Sequence, residues 1–297
     1  MNPMDSAFHK AIQAGITSVM VGPGSSNVVG GQFVFMKTGG SRQIDDLVVK
    51  QPAAMKAAFG ENPKKQYGGQ GVMPCSRMAI AAMLREELFK ARNYWNAYKK
   101  AKKEKKIFDE DFHLSCWIPV LEREIPLKCH AHRADDIFTA IRIAKEFDIE
   151  ITIDHCTEGH LIAEELSKAG FPAIVGPDFT SRSKIEVENM AFKTAGILTR
   201  NGVLTSITTD HPVSVIQSLP LCAGMAVKNG MDAEDALKAI TINAAKICRV
   251  ADRVGSLEVG KDGDIAIFKG NPLELSTLCF ATIINGNIVY KKDDYCW

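Results

Sequence analysis

Three residues that could hold a metal ion stand at or just after the ends of predicted strands. His130 and His155 each end a largely apolar run, and Asp210 directly follows another. Side chains at the carboxyl ends of parallel strands meet at one edge of a sheet, where α/β enzymes place their active sites. Imidazoles and a carboxylate are suitable Zn²⁺ ligands, and the carboxylate can also act as a base. The pattern predicts a divalent-metal site, against the alternative of separate hydrogen-bonded histidines at the rim.

The other histidines divide into two groups. His132 follows His130 by two residues and shares its strand face if the strand continues, and His211 directly follows Asp210. We assign His132 and His211 as candidates for contacting a substrate. Of the remaining three, His9 is expected at the surface of an amphipathic helix, and His113 and His160 are expected to be structural.

A regular alternation of strands and helices surrounds these residues. The sequence predicts strands at residues 16–21, 127–130, 149–155, 172–175 and 203–209, and helices at residues 6–14, 76–98, 135–147, 158–169 and 185–199. Repeated strand–helix pairs with short connections predict a parallel sheet covered on both faces. An open doubly wound sheet and a (β/α)₈ barrel both satisfy this pattern.

The chain changes character after Ile247. Short strand candidates lie at residues 256–258, 264–268, 282–284 and 288–290. Asn285-Gly286 between the last two is a strong signal for a type I′ hairpin turn. The sequence therefore predicts an α/β domain over residues 1–250 and a small all-β region over residues 251–297.

The composition limits the classes of partner. The 297 residues are 46% hydrophobic and 24% charged, with a formal net charge of +1. This balance excludes a wholly disordered chain and gives no electrostatic reason to expect a nucleic-acid or membrane partner. We interpret the lysine-rich run at residues 99–106 as a solvated helix end rather than an RNA or phosphate contact, because acidic residues follow at 109–111.

The spacing of the eight cysteines indicates in which cellular compartment the chain is expected. None forms a Cys-x-x-Cys pair, and they are spread through the chain. Disulfide frameworks are typical of short secreted chains, so reduced thiols and a cytoplasmic location are expected. The first 15 residues also lack the basic start and apolar core of a secretory signal.

Several segments together carry a family resemblance. They are residues 15–19 (GITSV) with the loop GPGSSN at 22–27, PLKCHAHRADDI at 126–137, Asp154-His155, TTDHP at 208–212, TINAAK at 241–246 and GSLEVGKDGD at 255–264. In this order, over nearly the whole chain, they resemble the metal-dependent amidohydrolase superfamily, in particular its imidazolonepropionase and prolidase-like branch.

The resemblance implies a (β/α)₈ barrel of the TIM type with one or two divalent metals, most commonly Zn²⁺, at the carboxyl edge of the strands. By position, it implies that His130 and His155 are the ligands on strands five and six. Asp210 would be the strand-eight aspartate, a ligand that also accepts a proton from the attacking water and passes it to the leaving nitrogen. Relatives carry a carbamylated lysine or a glutamate on strand four, where Lys56 is the candidate and Glu61 the alternative.

The sequence departs from the family pattern in one respect. The family's first barrel strand carries a His-x-His pair that holds the deeper metal, and this sequence has no such pair in that context. His130-Ala131-His132 belongs instead to the fifth strand. We therefore expect a barrel lacking its first strand, the C-terminal strands of a small β-sandwich, and at most one bound metal.

The resulting hypothesis is an N-terminally truncated amidohydrolase that hydrolyses a carbon–nitrogen bond of a cyclic amide or dipeptide-like substrate, with activity impaired by the loss of the first strand. The expected partner is a small amide or peptide-like molecule. A homo-oligomer is also expected, because an open sheet edge favours pairing. One alternative is a non-catalytic homologue that oligomerises or binds a ligand. Another is an unrelated α/β binding protein in which the two histidines and the aspartate coincide by chance.

Overall fold

The computed structural model describes residues 1–292, in which helices and strands alternate. The strands are β1 (Ser18–Val21), β2 (Val29–Lys37), β3 (Val48–Ala58), β4 (Leu127–Ala131), β5 (Ile151–His155), β6 (Ala173–Val175), β7 (Thr205–Ile207), β8 (Ile265–Phe268), β9 (Cys279–Ile284) and β10 (Asn287–Lys291). The helices are α1 (Ser6–Gln13), α2 (Ile44–Leu47), α3 (Glu61–Gly68), α4 (Arg77–Glu104), α5 (Phe112–Ser115), α6 (Ile118–Leu121), α7 (Ala134–Phe147), α8 (Ala163–Ala169), α9 (Thr194–Arg200), α10 (Leu219–Lys228), α11 (Ala233–Ala239) and α12 (Ile242–Ile247).

The first seven strands form one sheet in which β1 to β7 follow their order in the chain. Strands β3 to β7 are parallel to one another, whereas β2 is antiparallel to both β1 and β3. A doubly wound sheet reverses its strand order at a switch point, and this sheet does not. The order therefore selects the barrel over the doubly wound alternative, and the expected incomplete barrel is confirmed.

The N-terminal part of the sheet corrects the predicted pattern. Strands β2 and β3 were not predicted, because glycines 30 and 31 and Pro52 interrupt their apolar pattern and are unfavourable in strands. The prediction that β1 joins a parallel sheet is wrong. Only seven residues, 22–28, separate β1 from β2. A parallel crossover needs about a dozen residues or more, so this connection produces an antiparallel pair.

Two further predictions are corrected downstream. The helix predicted at residues 185–199 is divided into a 3₁₀ turn, Ile185–Val187, and the helix α9. Glu186, in the 3₁₀ turn, is buried in a network of ion pairs described below. The strand predicted at residues 256–258 is not formed.

Successive residues of β4 face opposite sides of the sheet. Leu127 and Cys129 belong to the large hydrophobic core that also contains helix residues such as Ile137. Because successive side chains of a strand point to opposite faces, Lys128 and His130 face the inside of the partial barrel. Both are nevertheless buried, with 7% and 3% of their surface exposed. The interior of the barrel is therefore polar.

The C-terminal strands form a separate antiparallel sheet in the order β10-β9-β8. Asn285 and Gly286 have φ values of 50° and 79° between β9 and β10, as the predicted hairpin turn requires. This sheet is tied to α1, because the Thr282 hydroxyl donates a 2.6 Å hydrogen bond to the Ile12 carbonyl. The proposed division at residue 250 stays a prediction. Within residues 1–292, no helix has the length and apolarity that crossing a bilayer requires.

Candidate metal centre

Three buried histidines meet at the carboxyl edge of the parallel strands. His130 lies on β4, His132 follows that strand directly, and His155 ends β5. Their ring centroids are 4.5 to 4.7 Å apart, and each ring offers a nitrogen within 4.8 Å of the other two. We call these three residues the histidine cluster. The structure thus brings His130 and His155 together and adds His132 to them.

The backbone at the ends of these strands adopts an unusual conformation. His155 and Cys156 have φ values of 74° and 47°, and Asp210, after β7, has a φ of 49°. Left-handed backbone at residues other than glycine is uncommon, and it concentrates at functional sites. At His155 this conformation ends the strand.

The ring nitrogens of the cluster have different partners. His155 Nδ1 lies 2.8 Å from the Gly176 carbonyl oxygen, which can only accept, so Nδ1 carries the proton and Nε2 keeps its lone pair. His132 Nδ1 lies 2.7 Å from the Thr157 hydroxyl oxygen. His130 Nε2 contacts the Asn62 side-chain amide at 3.3 Å. His130 Nδ1 is buried without a hydrogen-bond partner in the structure.

The cluster is built to stay uncharged. Burial holds the pKa of His130 and of His155 well below the usual value for an imidazole, and the neighbouring rings lower both further. Burial also lowers the pKa of His132 to about 3, helped by the nearby Lys184 ammonium. Neutral imidazole is the form that binds metals. An uncharged trio with an unpartnered nitrogen therefore fits a divalent metal ion.

The two candidates for the strand-four ligand differ in their surroundings. Lys56 lies on β3, in register with Lys128 on β4, and is 6% exposed. Burial lowers the pKa of Lys56, and the Lys128 ammonium lowers it further against the opposing effect of Asp154. Glu61 begins α3, and its carboxylate already accepts from the backbone N–H of Glu186 and pairs with Lys65. The Glu61 carboxylate is therefore already paired, although its charge still acts on His132.

Asp210 and His211 follow β7 on the same edge of the sheet. Removal of water from the carboxyl raises the pKa of Asp210 to about 6, although the residue as a whole is exposed at the rim. Among the described residues, the ligand atoms within 4.8 Å of one another are those of the histidine cluster, without Asp210. His211 is exposed.

A network of charged residues beside His132 was not predicted. Glu186 is 1% exposed, and one carboxylate oxygen lies 2.9 Å from Lys184 Nζ and 3.9 Å from His132 Nε2. Its other oxygen lies 3.8 Å from an Arg77 guanidinium nitrogen. Arg77 is held in turn by Asp136 at 3.0 Å. These residues come from separate loops and helix starts, so no local sequence signal marks them.

A second unpredicted pair lies deeper in the barrel. Lys128 Nζ and Asp154 Oδ1 are 3.0 Å apart, and Thr152 donates a further 2.9 Å hydrogen bond to the same oxygen. This pair did leave a signal in the sequence. Charged residues alternating with apolar ones inside strands that must be buried indicate a polar interior.

Comparisons with known proteins agree with this architecture. Residues 127–295, more than half of the chain, match the family described as "Amidohydrolase family". The crystal structure of an amidohydrolase from Thermotoga maritima MSB8 superposes with a TM-score of 0.95 at 40% identity, covering 98% of this chain and 76% of that one. The chain therefore belongs to the amidohydrolase family, and the resemblance read from its motifs is confirmed.

Curated relatives are longer than this chain. Amidohydrolase tasK of Hapsidospora irregularis is 24% identical over 315 residues, which cover 96% of this chain and 31% of that protein. An imidazolonepropionase of Brevibacillus brevis is 38% identical over 108 residues, 35% of this chain and 24% of that protein. The chain thus spans less than a third of the first of these relatives.

Proposed function

We propose that this chain carries the metal centre of a hydrolase that cleaves a carbon–nitrogen bond in a cyclic amide or a dipeptide-like substrate. The observation that supports it most is the histidine cluster, buried, uncharged and holding one unpartnered nitrogen at the edge where barrel enzymes place their sites. Membership of the amidohydrolase family supports the reaction class. The expected ion is Zn²⁺, with at most one bound here.

His130 and His155 are the proposed ligands, with Lys56 completing the site as a carbamate. The bond from His155 Nδ1 to the Gly176 carbonyl supports its role, because ligand histidines usually donate their other ring N–H to a fixed acceptor. Burial favours the neutral amine of Lys56, the form that combines with carbon dioxide. Glu61 stays the alternative. His132, expected to contact the substrate, lies close enough to be a third protein ligand.

A bound divalent ion supplies Lewis-acid chemistry, polarising a carbonyl and making water a competent nucleophile near neutral pH. Asp210 is the proposed base at the open side of the site, and its role as a ligand is at most weak, because its carboxylate lies outside the clustered ligand atoms of the described residues. Its pKa of about 6 lies close to neutrality, which suits a group that must both accept a proton and return it to the leaving nitrogen. His211, exposed beside Asp210, is the proposed contact to the substrate.

Elemental analysis of the purified protein and zinc titrations of variants test this assignment. We expect one zinc per chain, and an affinity reduced by more than about 100-fold in His130→Ala and in His155→Ala, since each removes a ligand. His113→Ala is the matched control, because His113 is exposed and pairs with Glu87 far from the cluster. An unchanged zinc affinity in the His130→Ala, His155→Ala double variant would show that the ligands are wrongly assigned.

A non-catalytic homologue is the second candidate. It is favoured by one observation, that Asp210 is not among the clustered ligand atoms of the described residues. Turnover of cyclic amides and dipeptides by the zinc-loaded protein separates the two candidates. Hydrolysis that disappears in Asp210→Asn supports the enzyme, whereas zinc binding without turnover supports the homologue.

We also propose that the chain forms homo-oligomers. Strands β1 and β7 are the two edges of the large sheet, and neither has a second strand partner among the described residues. Unpaired strand edges favour pairing with another chain. Light scattering should therefore give a mass above that of one chain, and a stable monomer would contradict the proposal.

A further inference from the structure

A continuous chain of contacts leads from His130 to the charged network beside it. His130 Nε2 lies 3.3 Å from Asn62 Nδ2, and Asn62 Oδ1 lies 2.8 Å from Lys184 Nζ. Lys184 Nζ lies in turn 2.9 Å from a carboxylate oxygen of Glu186. The imidazole is thus linked to a buried carboxylate through one amide and one ammonium group.

The direction of these hydrogen bonds is fixed at the ammonium end. An ammonium group can only donate, so the atom of Asn62 that faces Lys184 must be the carbonyl oxygen. The NH₂ group of Asn62 therefore faces His130, and Nε2 of that ring must accept. A neutral imidazole that accepts at Nε2 carries its proton on Nδ1. Nδ1 is the buried nitrogen that has no partner.

Lys184 is held firmly in this position. Glu186 and Glu61 exchange hydrogen bonds, each carboxylate accepting from the other's backbone N–H at 2.7 and 3.3 Å. Gly60, with a φ of 78°, makes room for this exchange, since a Cβ there would lie 2.5 Å from a carboxylate oxygen of Glu186. The carboxylate that anchors Lys184 is therefore itself fixed by the backbone of α3.

Metal binding at His130 conflicts with this arrangement. Nε2 faces Asn62, so Nδ1 is the nitrogen that remains for a metal, and it must then lose its proton. The proton on the ring would sit at Nε2, opposite the NH₂ group of Asn62. Rotating the amide relieves that conflict but points the same NH₂ group at the Lys184 ammonium. One hydrogen bond of the chain must therefore be lost.

We propose that Lys184, acting through Asn62, holds His130 in the tautomer protonated at Nδ1 and so opposes metal binding, which requires that Asn62 rotate and Lys184 release it. Lys184 is a positioning residue in this scheme. The effect on metal binding rests on the proposed function, whereas the tautomer assignment does not.

Nitrogen-15 NMR of the metal-free protein tests the tautomer directly. Long-range proton–nitrogen spectra distinguish Nδ1–H from Nε2–H imidazoles, and the His130 signals are those missing from His130→Gln. We expect the Nδ1–H pattern in the wild-type protein and a shift towards Nε2–H in Lys184→Met. An Nε2–H ring in the wild-type protein overturns the proposal, whether or not any zinc binds.

Zinc affinity in competition with a chelator tests the consequence. Lys184→Met should bind zinc about tenfold more tightly, the factor that one net hydrogen bond represents. Lys184→Arg keeps the donor and should resemble the wild type. Asn62→Asp should bind most tightly, because a carboxylate accepts from Lys184 and from His130 Nε2–H together.

Lys65→Met is the control for charge alone. Lys65 pairs with Glu61 much as Lys184 pairs with Glu186, but it does not contact Asn62. Equal gains in zinc affinity for Lys65→Met and Lys184→Met would contradict the proposal. Absence of zinc binding in every variant would refute the proposed metal centre, while the NMR result would still decide the tautomer.

Discussion

Two buried polar clusters in this molecule differ in how completely their groups are partnered. Lys37, at the end of β2, is 2% exposed and lies 2.8 Å from Asp262 and 2.6 Å from Asp264. Arg253 also pairs with Asp262, and the backbone N–H of Asn285 donates to the second oxygen of Asp264. The histidine cluster, by contrast, brings three neutral rings together and leaves His130 Nδ1 without a partner. We call Lys37, Asp262 and Asp264 the Lys37 cluster.

The contrast separates a structural cluster from a binding site. A buried charge is tolerated when opposite charges and hydrogen bonds surround it, as around Lys37. An unpartnered buried nitrogen lowers stability by about 1–3 kcal/mol, so such a nitrogen marks a group that a bound ligand can satisfy. The Lys37 cluster joins the barrel to the C-terminal sheet, whereas the histidine cluster could hold a metal ion.

Removing the cation of the Lys37 cluster should have the largest effect on stability. We expect Lys37→Met to lower the free energy of unfolding by about 3–5 kcal/mol, because it leaves two carboxylates without their shared partner. Urea unfolding measures the change. Lys168→Met is the control, since the exposed pair of Lys168 with Glu164 should contribute less than about 1 kcal/mol. Equal losses in the two variants would show that the Lys37 cluster is not structural.

The second-largest effect on stability is expected from acid, which should lower the free energy of unfolding through His132. The pKa of His132 is about 3 in the folded protein. In the unfolded chain it is about 6.5, so between these values the unfolded chain binds the extra proton. Stability therefore falls as pH falls, by about 1.4 kcal/mol per pH unit for this group below pH 6.

The difference between the wild type and His132→Leu isolates this contribution to the free energy of unfolding. The wild-type curve alone is not enough, because the raised pKa of Asp210 has the opposite effect. Through Asp210, the free energy of unfolding decreases as pH rises towards about 6. His113→Leu, at an exposed histidine, should show no comparable dependence. A wild-type minus His132→Leu difference that stays constant from pH 7 to pH 4 would contradict the buried, neutral ring.

Replacing His130 should change the free energy of unfolding in the opposite direction to replacing Lys37. In metal-free protein, we expect His130→Leu to be neutral or up to about 1–2 kcal/mol more stable, because exchanging an unpartnered buried nitrogen for an apolar group should outweigh the loss of the 3.3 Å contact with Asn62. Added zinc should then raise the melting temperature of the wild type and leave that of His130→Leu unchanged. Substantial destabilisation without metal would mean that His130 is a packing residue.

The parts of the fold and site that could be predicted are those specified by local pattern. His130 and His155 end regular strands between amphipathic helices, so their placement at one edge followed from the alternation alone. Strands β2 and β3 escaped prediction because glycines and Pro52 interrupt them. Contacts such as Asn62 with Lys184 join residues 122 positions apart, and only the folded chain brings them together.

The smallest effect on zinc binding is expected at Asp210. The residue lies at the same edge as the histidine cluster but outside its set of ligand atoms, so Asp210→Asn should leave the zinc affinity close to the wild-type value. The amide cannot accept the proton of the attacking water, so any residual turnover should disappear. Isothermal titration of zinc and an amidase assay on the same preparation separate the two effects. A large loss of zinc affinity would instead place Asp210 among the ligands and extend the metal site to β7.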